Sequence, residues 1–111
     1  MVLGAGGNDY LETGRTTGTS YVDGGEGNDQ IYGTWTNSNA GGEGDILIGG
    51  DGDDFIDSGA GDDIVYGGKG DDSLYNAAEN GVRDSDNVYI YEGNYAEYTI
   101  STSGGYTYVL D

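Results

Sequence analysis

The chain contains no cysteine, no proline and no histidine, and only three basic residues, Arg15, Lys69 and Arg83. Without cysteine there is neither a disulfide nor a thiolate metal site; the absence is compatible with an oxidising exterior but does not require one. Without histidine or cysteine, few side chains remain that could act as nucleophile or general base. Three cations against 21 acidic residues give a formal charge of −18, which repels the phosphates of a nucleic acid. No signal-peptide pattern is present, and no apolar run approaches the ~18 residues of a membrane span. Hydrophobic residues make up 34% of the chain, and 11 of them are tyrosines. The 111 residues suffice for one domain, but this composition taken blindly reads as disorder.

What overrides that reading is periodicity among the 24 glycines. From Gly49 to Tyr75 the chain runs GGDGDDFID, SGAGDDIVY, GGKGDDSLY: three nine-residue units in succession, on the pattern G-G-x-G-x-D-x-U-x, where U is a large aliphatic residue. The sixth position is Asp54, Asp63 and Asp72; the eighth is Ile56, Val65 and Leu74. Glycines ahead of the aspartate permit a tight turn with positive φ. The three residues after it form a short strand whose middle side chain points inward. Such a strand cannot bury its face alone, but stacked copies bury a ladder of U residues and bring turn over turn at about 4.8 Å. The aspartates then stack too. A column of like charges at that spacing repels unless cations lie between them, and carboxylate plus carbonyl oxygens in a flexible ring suit Ca²⁺ better than Mg²⁺ or Zn²⁺. Five such ions would reduce the net charge to about −8, an ordinary surface value. The composition thus points to a protein folded with metal and largely unfolded without it.

The repeat extends in both directions. Gly4–Glu12 carries Asp9 and Leu11; Thr13–Asp23 lacks the aspartate but keeps Val22; Gly24–Tyr32 carries Asp29 and Ile31; Gly33–Ile48 contains an insertion before Asp45 and Leu47; Asn76–Tyr89 contains another, before Asp86 and Val88. The inward column is Leu11, Val22, Ile31, Leu47, Ile56, Val65, Leu74 and Val88, at spacings of 11, 9, 16, 9, 9, 9 and 14. Every extra residue falls in an even-numbered repeat. That follows if two repeats make one coil, with odd turns on one side and even turns on the other. Eight repeats then give four coils. The odd column (Asp9, Asp29, Asp54, Asp72) offers three gaps for cations, and the degraded even column (Ser20, Asp45, Asp63, Asp86) about two weaker ones. On the even side Tyr21, Ile46, Ile48, Ile64, Tyr66 and Tyr89 would face outward as an apolar patch, which monomers tend to avoid; the C-terminal segment is the nearest candidate to cover it. There, Tyr95–Thr102 and Tyr106–Leu110 alternate on either side of Ser103-Gly104-Gly105, the signal of a β-hairpin. A repeat array needs such a cap.

These units resemble the repeats-in-toxin (RTX), haemolysin-type calcium-binding modules of bacterial type I secreted proteins, over roughly residues 4–89. The resemblance implies an all-β fold, a right-handed parallel β-roll with two repeats per coil, over residues 1–89, and leaves 90–111 as a C-terminal capping hairpin of the same domain. It implies about three to five Ca²⁺ held by Asp9, Asp29, Asp54, Asp63 and Asp72. The main-chain carbonyls would come from turns 24–28, 49–53, 58–62 and 67–71: Gly24, Glu26, Asn28, Gly49, Asp51, Asp53, Ala60, Gly67 and Lys69. Asp45 and Asp86 are weaker candidates, because their repeats carry insertions. The position-5 acids Asp53, Asp62 and Asp71 read as outward-facing charges. The family further implies a secreted or cell-surface location and a longer parent polypeptide of which this chain is a monomeric piece.

Other chemistry fits poorly. Paired carboxylates could suggest a glycosidase, but the repeat explains every pair, so no enzyme is expected in this chain itself. An EF-hand reading fails at Asp54-Phe55-Ile56, and no glycine-rich stretch is followed by the helix a phosphate loop requires. The expected role is a calcium-binding structural module. The alternative is a carbohydrate- or surface-binding adhesin using the insertions 13–19, 34–40 and 77–85, with Trp35 stacking on a sugar.

Overall fold

The structure, a computed structural model, describes residues 1–14, 19–33, 44–59, 61–76, 87–90, 99–102 and 107–110. All its regular elements are strands: β1 (Val2–Leu3), β2 (Tyr10–Glu12), β3 (Tyr21–Glu26), β4 (Gln30–Tyr32), β5 (Ile46–Asp51), β6 (Phe55–Asp57), β7 (Ile64–Lys69), β8 (Ser73–Asn76), β9 (Asn87–Ile90), β10 (Thr99–Thr102) and β11 (Thr107–Leu110). They alternate between two sheets, β1-β3-β5-β7-β9-β11 and β2-β4-β6-β8-β10, and every pairing is parallel. This is the β-roll expected from the spacing: Leu11, Ile31, Ile56 and Leu74 align in one sheet and Val22, Leu47 and Val65 in the other.

The core lies between the sheets. Val22, Ile31, Leu47, Ile56, Val65, Leu74 and Tyr89 are buried in it, with Val2 and Leu11 packed against them. Each full burial is worth about 1.5–3 kcal/mol, and each inward side chain is flanked by its counterparts one coil away. In the sheet that follows the odd turns, the strands β2, β4 and β6 have the expected three residues, and β8 and β10 have four. In the other sheet they run to six, because the chain stays extended into the next glycine pair and Gly25, Gly50 and Gly68 continue the ladder.

Three expectations are corrected. First, the inward residue of the last repeat is Tyr89, not Val88: β7 pairs Ile64 with Val88 and Val65 with Tyr89. The same register gives Asn87 the backbone place that Asp63 holds one coil earlier, since the N–H of Val88 donates to the Asp63 carbonyl as that of Ile64 does to Asp45. Second, β10 and β11 form no hairpin. They lie in opposite sheets, β10 parallel to β8 and β11 parallel to β9, and so add a further coil to the expected four. Serine and glycine suit the turns of this roll as well as those of a hairpin, so the local pattern did not discriminate. Third, because these strands extend the sheets, they do not lie across the even face, where Ile64 keeps 42% of its surface exposed.

Candidate metal centre

In each odd turn the chain leaves one sheet, passes two residues with positive φ (Gly25 and Gly27 at 101° and 123°, for example, but Ala5 and Gly7 at 81° and 98° in the first turn) and enters the other sheet after its aspartate. The first-position glycines Gly4, Gly24 and Gly49 have a different reason to be glycine. A Cβ built on Gly24 would run into Asp29 Oδ2 and the Gly49 carbonyl oxygen; on Gly4 it would meet Asp9 Oδ2 and the Gly24 carbonyl, and on Gly49 it would meet Asp54 Oδ2 and the Gly67 carbonyl. In three successive gaps, therefore, a carboxylate oxygen and a main-chain oxygen from the next coil converge on one point.

The other carboxylate oxygen is already engaged. The N–H of Asp9 donates to Asp29 Oδ1 at 2.8 Å, that of Asp29 to Asp54 Oδ1 at 2.8 Å, and that of Asp54 to Asp72 Oδ1 at 3.0 Å. This side-chain ladder holds each turn over the next. Asp29, Asp54 and Asp72 are buried, while the Oδ2 atoms of Asp9, Asp29, Asp54 and Asp72 are buried and accept no hydrogen bond, and the same holds for that of Asp63 in the even turns. Leaving such an oxygen uncompensated costs on the order of 1–3 kcal/mol, more when it is charged. Burial pushes the Asp54 carboxyl up to about 6; its hydrogen bond from Asp29 opposes this, and the charges of Asp72, Asp29 and Asp53 add to it. Paired negative oxygens with no hydrogen to share fit a hard, oxygen-bound divalent cation.

The even turns are less uniform. Thr13, Gly33 and Ser58 take the first position, their N–H groups donating to the carbonyls of Tyr32, Asp57 and Tyr75 as Gly4 does to Asp23. The aspartate ladder recurs, from Ser20 N–H to Asp45 Oδ1 at 2.9 Å and from Asp45 N–H to Asp63 Oδ1 at 2.8 Å. A Cβ on Gly33 would meet the Ser58 carbonyl and Asp45 Oδ2. Asp63 sits beside the buried Ser58, whose hydroxyl hydrogen-bonds its carboxylate; burial nonetheless carries the Asp63 carboxyl up to about 8.

Comparison with known proteins decides the family. The model for the RTX calcium-binding nonapeptide repeat (4 copies) matches residues 3–37 and 39–74, more than half of the chain. The chain belongs to the RTX calcium-binding repeat family. No curated protein matches it. Among solved structures it is similar to the AlgE6R3 subunit of the mannuronan C5-epimerase of Azotobacter vinelandii, at 24% identity and a TM-score of 0.41, over 84% of this chain and 45% of that one.

Set beside the RTX ligand pattern, the roll brings the first-position carbonyls of Gly24, Gly49 and Gly67 into the gaps with Asp9, Asp29 and Asp54. The third-position carbonyls of Glu26, Asp51 and Lys69 each accept a ladder hydrogen bond, from Gly7, Gly27 and Gly52, which leaves each a second lone pair. Lys69 also pairs with Asp51 at 3.7 Å across the exposed surface, where such a pair is worth little. Ala60, Asp86, Trp35 and most of the insertions lie outside the described residues. Among the described residues no three acidic side chains converge on one point; the aspartates act one per turn, with carbonyls between them.

One set of residues was read too simply. The position-5 side chains are exposed, as expected, but they form a second ladder. Asn28 N–H donates to Asn8 Oδ1, Asp53 N–H to Asn28 Oδ1 and Asp71 N–H to Asp53 Oδ1, each at 2.9 Å. It runs opposite in direction to the position-6 ladder. The recurrent Asx-Asp pair at 8–9, 28–29, 53–54 and 71–72 was the signal.

Proposed function

We propose that this chain is a calcium-driven folding module of a longer secreted polypeptide. At the low calcium of a cell interior, aspartates stacked turn over turn hold the chain open. At the calcium levels outside the cell, ions entering the gaps pull it closed by mass action, at about 2.7 kcal/mol for each site filled at a hundredfold excess over its Kd. The folded roll then stiffens or terminates its parent, and the chain itself catalyses nothing. The observation that carries this reading is the repeated convergence of Asp Oδ2 and a glycine carbonyl at Gly4, Gly24 and Gly49. Such an arrangement is repulsive without a cation.

The test is far-UV circular dichroism of metal-stripped protein during a calcium titration. A coil spectrum that converts cooperatively to β with Ca²⁺, and not with Mg²⁺ at equal concentration, is the expected outcome. A β spectrum that persists unchanged in excess chelator would show that the aspartate columns are not what closes this roll.

A further inference from the structure

The outer face of the sheet that follows the odd turns carries a pattern that the metal gaps do not use. Leu11, Ile31, Ile56 and Leu74 point into the roll, so the residues on either side of each point out. Two outer columns result. One runs Tyr10, Gln30, Phe55, Ser73, and the other Glu12, Tyr32, Asp57, Tyr75. The aromatic side chain thus changes column at every coil. Ring centroids lie 5.2 Å apart from Tyr10 to Tyr32 and 5.8 Å apart from Tyr32 to Phe55, with 36° and 46° between the ring planes. Cross-strand packing accounts for Tyr32 and Phe55, which are half-buried. It leaves Tyr10 and Tyr75 62% and 38% exposed at the two ends of the strip. The carboxylates Glu12 and Asp57 stand in one column, two coils apart. Glu12 is exposed; Asp57 is half-buried, with one oxygen accepting the Gly59 N–H at 3.2 Å. Neither belongs to an aspartate column that faces a gap.

We propose that this strip binds a linear β-1,4-linked amino-sugar chain lying along the roll axis. In such a chain each hexose is turned over relative to the last, and one hexose advances the chain by about the height of one coil. A substituent therefore returns to the same side at every second unit. The strip has that period: in either column an aromatic ring recurs at every second coil, and so do Glu12 and Asp57 in theirs. Charge selects the substituent. A protein of formal charge −18 repels uronates and attracts ammonium groups, and an ammonium set over a tyrosine face gains a cation–π contribution. A basic peptide also carries ammonium groups, but its side chains return to one face every ~6.6 Å, which matches neither one coil at about 4.8 Å nor two. The site uses none of the insertions 13–19, 34–40 and 77–85. It goes beyond the calcium reading and requires only that the roll be folded, whichever gaps are filled.

The test is isothermal titration calorimetry of the full chain in saturating calcium, at a pH where amines are charged and carboxylates ionised. The probes are a hexamer of β-1,4-linked glucosamine, its N-acetylated counterpart and a lysine hexapeptide, with circular dichroism confirming that each variant folds. The glucosamine hexamer should bind, and more tightly than its N-acetylated counterpart. Tyr10→Ala and Tyr75→Ala should each weaken it about tenfold. Glu12→Gln, a change of charge at an exposed site, should remove most of the preference for the free amine. A wild-type protein that binds no glucosamine hexamer overturns the proposal. So does binding that neither tyrosine variant weakens, since general charge attraction then explains it. A lysine hexapeptide whose affinity falls as far in the same variants would overturn it in favour of a basic peptide, and loss confined to Trp35→Ala would do so in favour of the insertions.

Discussion

At the scale of single residues, the roll uses glycine for two distinct reasons, and substitution separates them. Gly25 must be glycine for its φ of 101°, whereas Gly24 must be glycine because its Cα faces Asp29 Oδ2 and the Gly49 carbonyl. Gly24→Ala leaves the backbone conformation allowed but fills the point where the two oxygens meet. It should abolish one calcium site and destabilise the calcium-loaded roll by about 1–3 kcal/mol, the usual cost of overpacking. Calorimetric stoichiometry together with urea melts in saturating calcium would check this; an unchanged ion count would mean the cation sits elsewhere. Asp29→Asn acts differently. An amide oxygen can still accept the Asp9 N–H, so the ladder survives and only the charge is lost. Its melt in chelator should match or exceed that of wild type, while the calcium midpoint of folding rises about tenfold, equivalent to about 1.4 kcal/mol.

At the scale of elements, the sequence pattern carried most of the roll, for a simple physical reason. A nine-residue unit with a fixed inward position leaves one way to stack, so Leu11, Val22, Ile31, Leu47, Ile56, Val65 and Leu74 could be placed from the repeat alone. The misreadings fall where the unit loses its own registration marks. Asn76–Tyr89 contains an insertion, and with Asp86 taken as the sixth position the inward residue becomes Val88. The strand NVYI tolerates either register, because large apolar side chains fall on both of its faces, and a slip of one reverses them. Ladder hydrogen bonds to β7 select Tyr89. The metal column was legible as a column, but not the reason for glycine at the first position, since only the folded roll sets Gly4, Gly24 and Gly49 against an aspartate Oδ2 and the carbonyl of the next coil. The register gives its own test. Tyr89→Ala removes a side chain that is 0% exposed and should cost about 3–5 kcal/mol. Val88→Ala, half-buried on the outer face, should cost about 1 kcal/mol or less. Denaturant melts in saturating calcium would give the reverse order if Val88 were the inward residue.

At the scale of the whole molecule, the chain balances a formal charge of −18 against a thin core, and protons and calcium compete for the same carboxylates. Burial first, and neighbouring charge after it, raises the Asp54 carboxyl from 3.8 to about 6 and the Asp63 carboxyl from 3.8 to about 8. A carboxyl whose pKa is higher in the folded state than in the unfolded chain binds its proton more tightly when folded. Protonation therefore favours the fold, and the metal-free roll loses stability as pH climbs from about 4 through 6 at Asp54 and on toward 8 at Asp63. The sign reverses when calcium is bound, because the ion requires ionised ligands and acid displaces it. Metal-stripped protein should thus gain β signal on acidification from about pH 8 to about pH 5.5, a window set by the two raised carboxyls, while the calcium concentration at the folding midpoint should rise over the same interval. Circular dichroism at the two pH values, in calcium-free buffer and across a calcium titration, reads both trends. If the metal-free signal instead fell on acidification, the buried carboxylates would be stabilised as anions by the protein itself, and the roll would not need a cation to hold them together.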